Sequence, residues 1–183
     1  MAGNWSEDPK TGLWWNEADG PYNARYEKVP QVPADVIPLL VKIASSVGIA
    51  GLTTMTSASL PGIDGLAVCP RTRTVSPKHY ISGDFSEVTV ATRACTRKCA
   101  DIKSNPVCTL YWQSHIGKGG WIHATGVGRV EDGEATSDAS EQKAKVVVTV
   151  ARIEVQDYDS GVMKDLWAPA IFERSESGWN RVQ

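Results

Sequence analysis

The sequence predicts a mainly β fold, six antiparallel strands closed into a small barrel with short peripheral helices, and three observations carry that prediction. From Ile49 onward most of the chain falls into short runs rich in Val, Ile, Thr and aromatic residues, bounded by Gly, Pro, Asn and Asp. Helical spacing is confined to three segments. Few helices are therefore at hand to cover strand edges, and closure into a barrel removes those edges altogether. The 183 residues, with an ordinary charged fraction of 22%, suit one domain with a sizeable core.

Residues 1–34 form an N-terminal arm and residues 35–183 the folded domain. The arm has no periodic pattern but carries Trp5, Trp14, Trp15, Tyr22 and Tyr26. So many aromatic residues place it against the body or against a second subunit. From Asp35, a candidate N-cap, Val36, Leu39, Leu40, Ile43, Ala44 and Val47 recur at three and four, with Pro38 tolerable in the first turn. Gly48 ends that helix. Strands follow at 49–56 and 66–75, joined by a loop rich in turn residues, and a third runs from Val88 to Arg93. A short helix from Thr96 to Ser104 stops at Asn105-Pro106, because a residue before proline is driven out of the helical region. Strands are expected at 107–113, 121–130 and 146–155, with a polar helix at about Ser137 to Lys145 and a last strand pair at 171–174 and 179–182.

The most informative stretch is Thr92-Arg93, then Thr96-Arg97-Lys98. Arg97 and Lys98 fall in the first turn of a helix, where the macrodipole already places about half a positive charge and favours anions. A bound phosphate resolves the conflict, since first-turn N–H groups, the Thr96 hydroxyl and both cationic side chains converge on it. The alternative is a solvated helix start whose charges pair with Asp101 or Glu87. Charge distribution favours the phosphate: the whole chain is at −2, yet residues 71–98 hold six basic residues against Asp84 and Glu87, a local balance of +4. Arg71 and Arg73 share one strand face by the period of two, so either can reach the same anion. Cys69, Cys95, Cys99 and Cys108 have no CxxC or metal-ligand spacing and read as small reduced thiols, with Cys95 and Cys99 flanking the basic turn.

Taken in order, Arg73-Thr74-Val75-Ser76-Pro77-Lys78, Ala91-Thr92-Arg93, Thr96-Arg97-Lys98, Asn105-Pro106 and Leu110-Tyr111-Trp112 resemble the motifs of the pyridoxamine 5′-phosphate oxidase-like, FMN-binding split-barrel superfamily, whose form runs R-x-V-L-L-K, Y-T-N, S-R-K, N-P and L-x-F-x-W. The resemblance covers roughly residues 35–130. It implies a six-stranded split barrel of the FMN-binding type, a homodimer with FMN in a cleft between subunits, and an oxidoreductase acting on a small molecule. It further implies that Arg73, Thr74 and Val75 line the flavin and ribityl chain, that Ala91 and Thr92 close the third strand beside it, and that Thr96, Arg97 and Lys98 hold the phosphate. A late tryptophan near the flavin in related barrels makes Trp167 a cofactor contact, and Lys78 matches the vitamin B6 phosphate site. FAD or a deazaflavin in the same cleft stays open, since both carry phosphate near the ribityl end.

The departures limit the reaction. Trp121-Ile122 stands where the oxidase has Gln-Val, so an aromatic face takes the place of an amide on the substrate side. The oxidase's substrate motifs after the fifth strand and at the C-terminus have no counterpart. Cofactor binding is therefore better supported than vitamin B6 oxidation, and a catalytically silent binding or stress-response barrel is the alternative from another class. Trp112, Trp121 and Trp167 otherwise read as core or dimer-interface residues. His79, His115 and His123 read as ordinary polar residues, not haem ligands. No hydrolase triad order, HExxH, GxGxxG or Walker pattern is present, and no metal site is expected. The acidic overall balance argues against nucleic acid and anionic membranes as partners. With no signal-like start and no apolar run near 18 residues, the expected location is the cytoplasm.

Overall fold

In the computed structural model, residues 5–7, 14–16, 36–56, 68–78, 83–114, 120–134, 136–138, 140–157 and 169–182 are described. The strands β1 (Trp5–Glu7) and β2 (Trp14–Asn16) pair as a short antiparallel ribbon. Helix α1 (Val36–Val47) turns Val36, Leu39, Leu40, Ile43 and Ala44 inward, the face the periodicity predicts. Its stop is Gly48, at φ +70°, whose N–H donates to the Ala44 carbonyl at 3.0 Å. A side chain there would favour the right-handed region and carry the helix on.

Among the described residues nine strands form the main sheet: β3 (Ala50–Thr56), β4 (Cys69–Val75), β5 (Pro77–Lys78), β6 (Glu87–Arg93), β7 (Val107–Gln113), β8 (Gly120–Asp132), β9 (Lys143–Asp157), β10 (Ala170–Ser175) and β11 (Gly178–Arg181). Every pairing is antiparallel. From β4 the ladder passes through β3, β7, β8 and β9 to β6, and β6 pairs with β5, which continues β4 past Ser76. Six strands thus make a circuit closed by chain continuity. The larger strand count comes from that interruption at Ser76 and from the β10–β11 hairpin, which joins the end of β9 not occupied by β6.

Alternation places Leu52, Val75, Val88, Val90, Leu110, Trp112, Ile122 and Ala124 in one apolar interior, closed by α1. Along β9 the buried parity is even at Val146, Val148 and Val150 and odd at Ile153 and Val155. A bulge explains the switch, since Thr125 pairs with Arg152 and Gly126 with Val150, leaving Ala151 as the extra residue. Gly126 is required there: a Cβ would lie 2.0 Å from the Thr149 carbonyl oxygen.

One expectation needs correction. The polar helix at Ser137–Lys145 is not formed among the described residues; β9 starts at Lys143, because Lys143 and Lys145 pair with Arg93 and Ala91 on β6, and Lys145 also bonds Glu131 on β8 at 2.7 Å. Trp112, read from the sequence as a core or dimer-interface residue, is in the core, fully buried and 5.6 Å from Phe85 in an edge-to-face pair. Its neighbour Tyr111 takes the outer position.

Candidate functional site: a cationic cleft at the start of the second helix

Helix α2 (Arg97–Ser104) packs on β3 and β8 and buries Cys99, Asp101 and Ile102. Ile102 is the apolar anchor. With that face fixed, Arg97 and Lys98 are left toward the exposed side of the first turn. Thr96 is the N-cap in extended conformation, but its hydroxyl makes no capping bond; it donates instead to the Arg93 carbonyl at 2.9 Å. The first-turn N–H groups are therefore not satisfied by that side chain.

Opposite this turn lies β4, with Arg71 and Arg73 on the same face as Val75. Arg71, Thr72, Arg73, Cys95, Thr96, Arg97 and Lys98 line one cleft of about 670 Å³. Lys98 Nζ donates to Thr92 Oγ1 at 2.6 Å, which ties the turn to the end of β6. Beneath the cleft, Asp101, 6% exposed, accepts from Arg73 Nη2 at 3.1 Å and from Thr54 Oγ1 at 2.8 Å, with Arg71 Nη1 at 3.5 Å from its second oxygen. Arg73 Nη2 also reaches Thr54 Oγ1 at 2.9 Å. Burial pushes the Asp101 carboxyl up, but the hydrogen bonds from Thr54 and Arg73 and the charges of Arg73 and Arg71 outweigh it and hold the group below its ordinary range. Asp101 thus pairs with the strand arginines and not with Arg97 or Lys98.

One donor in this network is left over. Arg73 Nη1 is buried without a hydrogen-bond partner among the described residues. A buried guanidinium N–H without an acceptor costs free energy. Four cations over a single carboxylate, with hydroxyls and a helix start, form a donor set for an anion. Among the described residues the lining holds no aromatic or large apolar side chain.

Of the residues the sequence singles out, Arg73, Thr96, Arg97 and Lys98 share the cleft, and Thr92 joins through Lys98. Thr74 and Ala91 are exposed on β4 and β6, Val75 is packed in the core, and none of the three lines the cleft. Lys78 is exposed on β5. Trp121 is half-buried on β8, its Nε1 donating to Gln156 at 3.2 Å and its ring 6.3 Å from that of Tyr111. Trp167, His79 and His115 lie outside the described residues. Thr54 was missed, and its signal is a polar residue in the inward register of Ala50 and Leu52. Among the buried thiols, Cys108 is pushed up to about 11 by burial, against which a contact with the Gly128 backbone acts; Cys95, at the cleft lip, is exposed.

Structural comparison identifies the architecture. PhzG from Burkholderia lata 383, solved in complex with tetrahydrophenazine-1-carboxylic acid, superposes with a TM-score of 0.57 at 12% identity over 87% of this chain and 95% of its own. A pyridoxamine 5′-phosphate oxidase-related, FMN-binding protein from Nostoc punctiforme PCC 73102 gives 0.55 at 9% identity, over 82% and 96%. This chain has the split-barrel fold of the pyridoxamine 5′-phosphate oxidase-like proteins. A Clostridium acetobutylicum protein related to general stress protein 26 shares this split-barrel fold, with 0.52 at 13% identity, over 76% and 94%. No family model and no curated protein matches the chain by sequence. Among the described residues no helix of this split barrel is long and apolar enough to cross a membrane.

Proposed function

We propose that this split barrel binds FMN by its phosphate in the Arg71–Arg73–Arg97–Lys98 cleft and works as a homodimeric oxidoreductase on a small molecule. The observation that carries the reading is the convergence of four cationic side chains, with the Thr96 hydroxyl, on one cleft. That the Nostoc protein of this fold is described as FMN-binding supports the choice of ligand. When bound, the flavin supplies the electron-transfer chemistry. The chain's own residues hold the phosphate through Arg97, Lys98 and Thr96, while the fixed charges of Arg71 and Arg73 favour negative charge in the cleft.

A dimer is part of the proposal because the described lining of the cleft is cationic and polar, with no ring for a flavin to stack on among the described residues. The outer face of β7–β8 supplies candidates for a second copy to present: Val107 and Val127 are cross-strand partners, 49% and 53% exposed, and Tyr111 lies edge-on to His123 at 6.0 Å. Vitamin B6 oxidation is disfavoured. Lys78 is an exposed point charge on a two-residue strand, and one flexible lysine does not orient a substrate for hydride transfer.

The test is the chromophore. Protein purified as expressed, or incubated with FMN and desalted, is expected to be yellow and to release FMN on heat denaturation, identified by mass. Release of FAD or a deazaflavin would change the cofactor, and a colourless protein that does not quench FMN fluorescence would overturn the reading in favour of a silent binding barrel. Steady-state assays with each B6 phosphate are expected to fall well below about 10⁴ M⁻¹s⁻¹ in kcat/KM.

A further inference from the structure

We propose that Asp101 is the positioning residue of the cleft: it anchors Arg71 and Arg73 from beneath so that the remaining guanidinium donors are presented, already oriented, to the phosphate. The proposal rests on the phosphate-cleft reading above. A carboxylate under an anion site is electrostatically unfavourable to the anion, so its presence needs a reason. The geometry gives one. Arg73 spends Nη2 on Asp101 Oδ2, Thr54 Oγ1 and, at 3.4 Å, the Arg71 carbonyl, and keeps Nη1 unpaired. Thr54 donates to the same carboxylate oxygen and accepts from the same guanidinium nitrogen, so three side chains from β3, β4 and α2 lock one another. Asp101 is held by Ile102 and Cys99 packing on either side in sequence, which makes α2 the rigid support.

An arginine free in solvent must surrender side-chain rotational freedom when it binds a ligand. Arg73 has surrendered it in advance, since Asp101 and Thr54 hold its Nη2 while part of the side chain stays open to the cleft it lines. Arg71, with Nη1 against Asp101 Oδ1, is aligned by the other oxygen of the same group. Asp101 therefore gains the ligand orientation at the expense of some attraction, and the two effects have opposite signs on removal.

That opposition makes the test sharp. Asp101→Asn keeps shape and an acceptor for Thr54, and raises the net charge around the cleft by one. If the carboxylate is only a counter-charge, FMN binds the variant more tightly. The positioning role predicts the reverse, a loss of at least about tenfold in affinity by fluorescence quenching, together with faster rotation of the Arg73 guanidinium in side-chain ¹⁵N spectra of the ligand-free protein. Unchanged or tighter binding overturns the proposal. Should Asp101→Asn fail to fold, Thr54→Val removes the bridging hydroxyl and keeps every charge; weaker FMN binding is again expected, and unchanged affinity again overturns it. Inorganic phosphate is titrated in parallel. Wild-type protein that binds phosphate but not FMN overturns the flavin reading while the Asp101 comparison is read on phosphate, and binding of neither overturns both.

Discussion

Arg97 and Lys98 sit where a helix start repels them, so their removal ought to relieve local repulsion while abolishing ligand binding. The double variant Arg97→Ala, Lys98→Ala is expected to fold with an unchanged or slightly raised melting temperature and to bind FMN at least about a hundredfold more weakly, since charge-assisted hydrogen bonds contribute roughly 1.5–3 kcal/mol each. A quenching titration against wild type checks it, and equal affinities would remove the phosphate from this turn. Asp101 gives a second expectation at the same scale. Its folded pKa is depressed, so its contribution to stability is fully present above the unfolded value near 3.9 and is lost as pH falls through the lower folded value. Denaturant midpoints should decline below about pH 4, and the decline should be shallower in Asp101→Asn.

Among the elements, β8 and β9 carry the greatest geometric demand. Gly126 faces the Thr149 carbonyl across the bulge with no space for a methyl group, so Gly126→Ala is expected to cost about 3 kcal/mol, the upper end for overpacking, read from the urea midpoint. A midpoint within about 0.5 kcal/mol of wild type would mean the bulge relaxes freely. The sequence made most of these elements legible because burial enforces periodicity: Val36 to Val47 show a helical face and Glu87 to Val90 alternate polar with apolar, and a helix and a strand are found there. Ser137–Lys145 was not legible, since a polar stretch with good helix formers lacks the apolar stripe that would distinguish a helix from a turn entering a strand, and pairing with β6 decided it. The cationic half of the cleft was readable from Arg73, Thr96, Arg97 and Lys98. Its anchor was not. The bond from the Thr54 hydroxyl to Asp101 joins residues 47 apart in sequence, and no local pattern announces a contact set by how α2 packs across β3.

For the molecule as a whole, the exposed Val107, Val127 and Tyr111 on β7–β8 are expected to be covered by a second copy, burying roughly 1,600 Å² or more in total as stable dimers do. Light scattering at micromolar concentration should give twice the chain mass, and a monomer that retains flavin would contradict the shared site. The circuit that closes the barrel has one more consequence, and it concerns time. Successive strands β7, β8 and β9 pair with their sequence neighbours, whereas Leu52 meets Leu110 and Val88 meets Val148, partners about sixty residues distant. Chain entropy must be surrendered before those distant ladders return anything, so the meander is expected to assemble first and the ring to close late, with folding on the millisecond-to-second scale of β topologies. Stopped-flow measurements should then show Ile153→Val slowing folding and Val88→Ala chiefly speeding unfolding; the opposite partition would mean that the barrel is seeded from its seam. A half-built cation cleft would accordingly be among the last features to form, because Arg71 and Arg73 ride on β4, which joins the meander only through β3 and its distant ladder to β7.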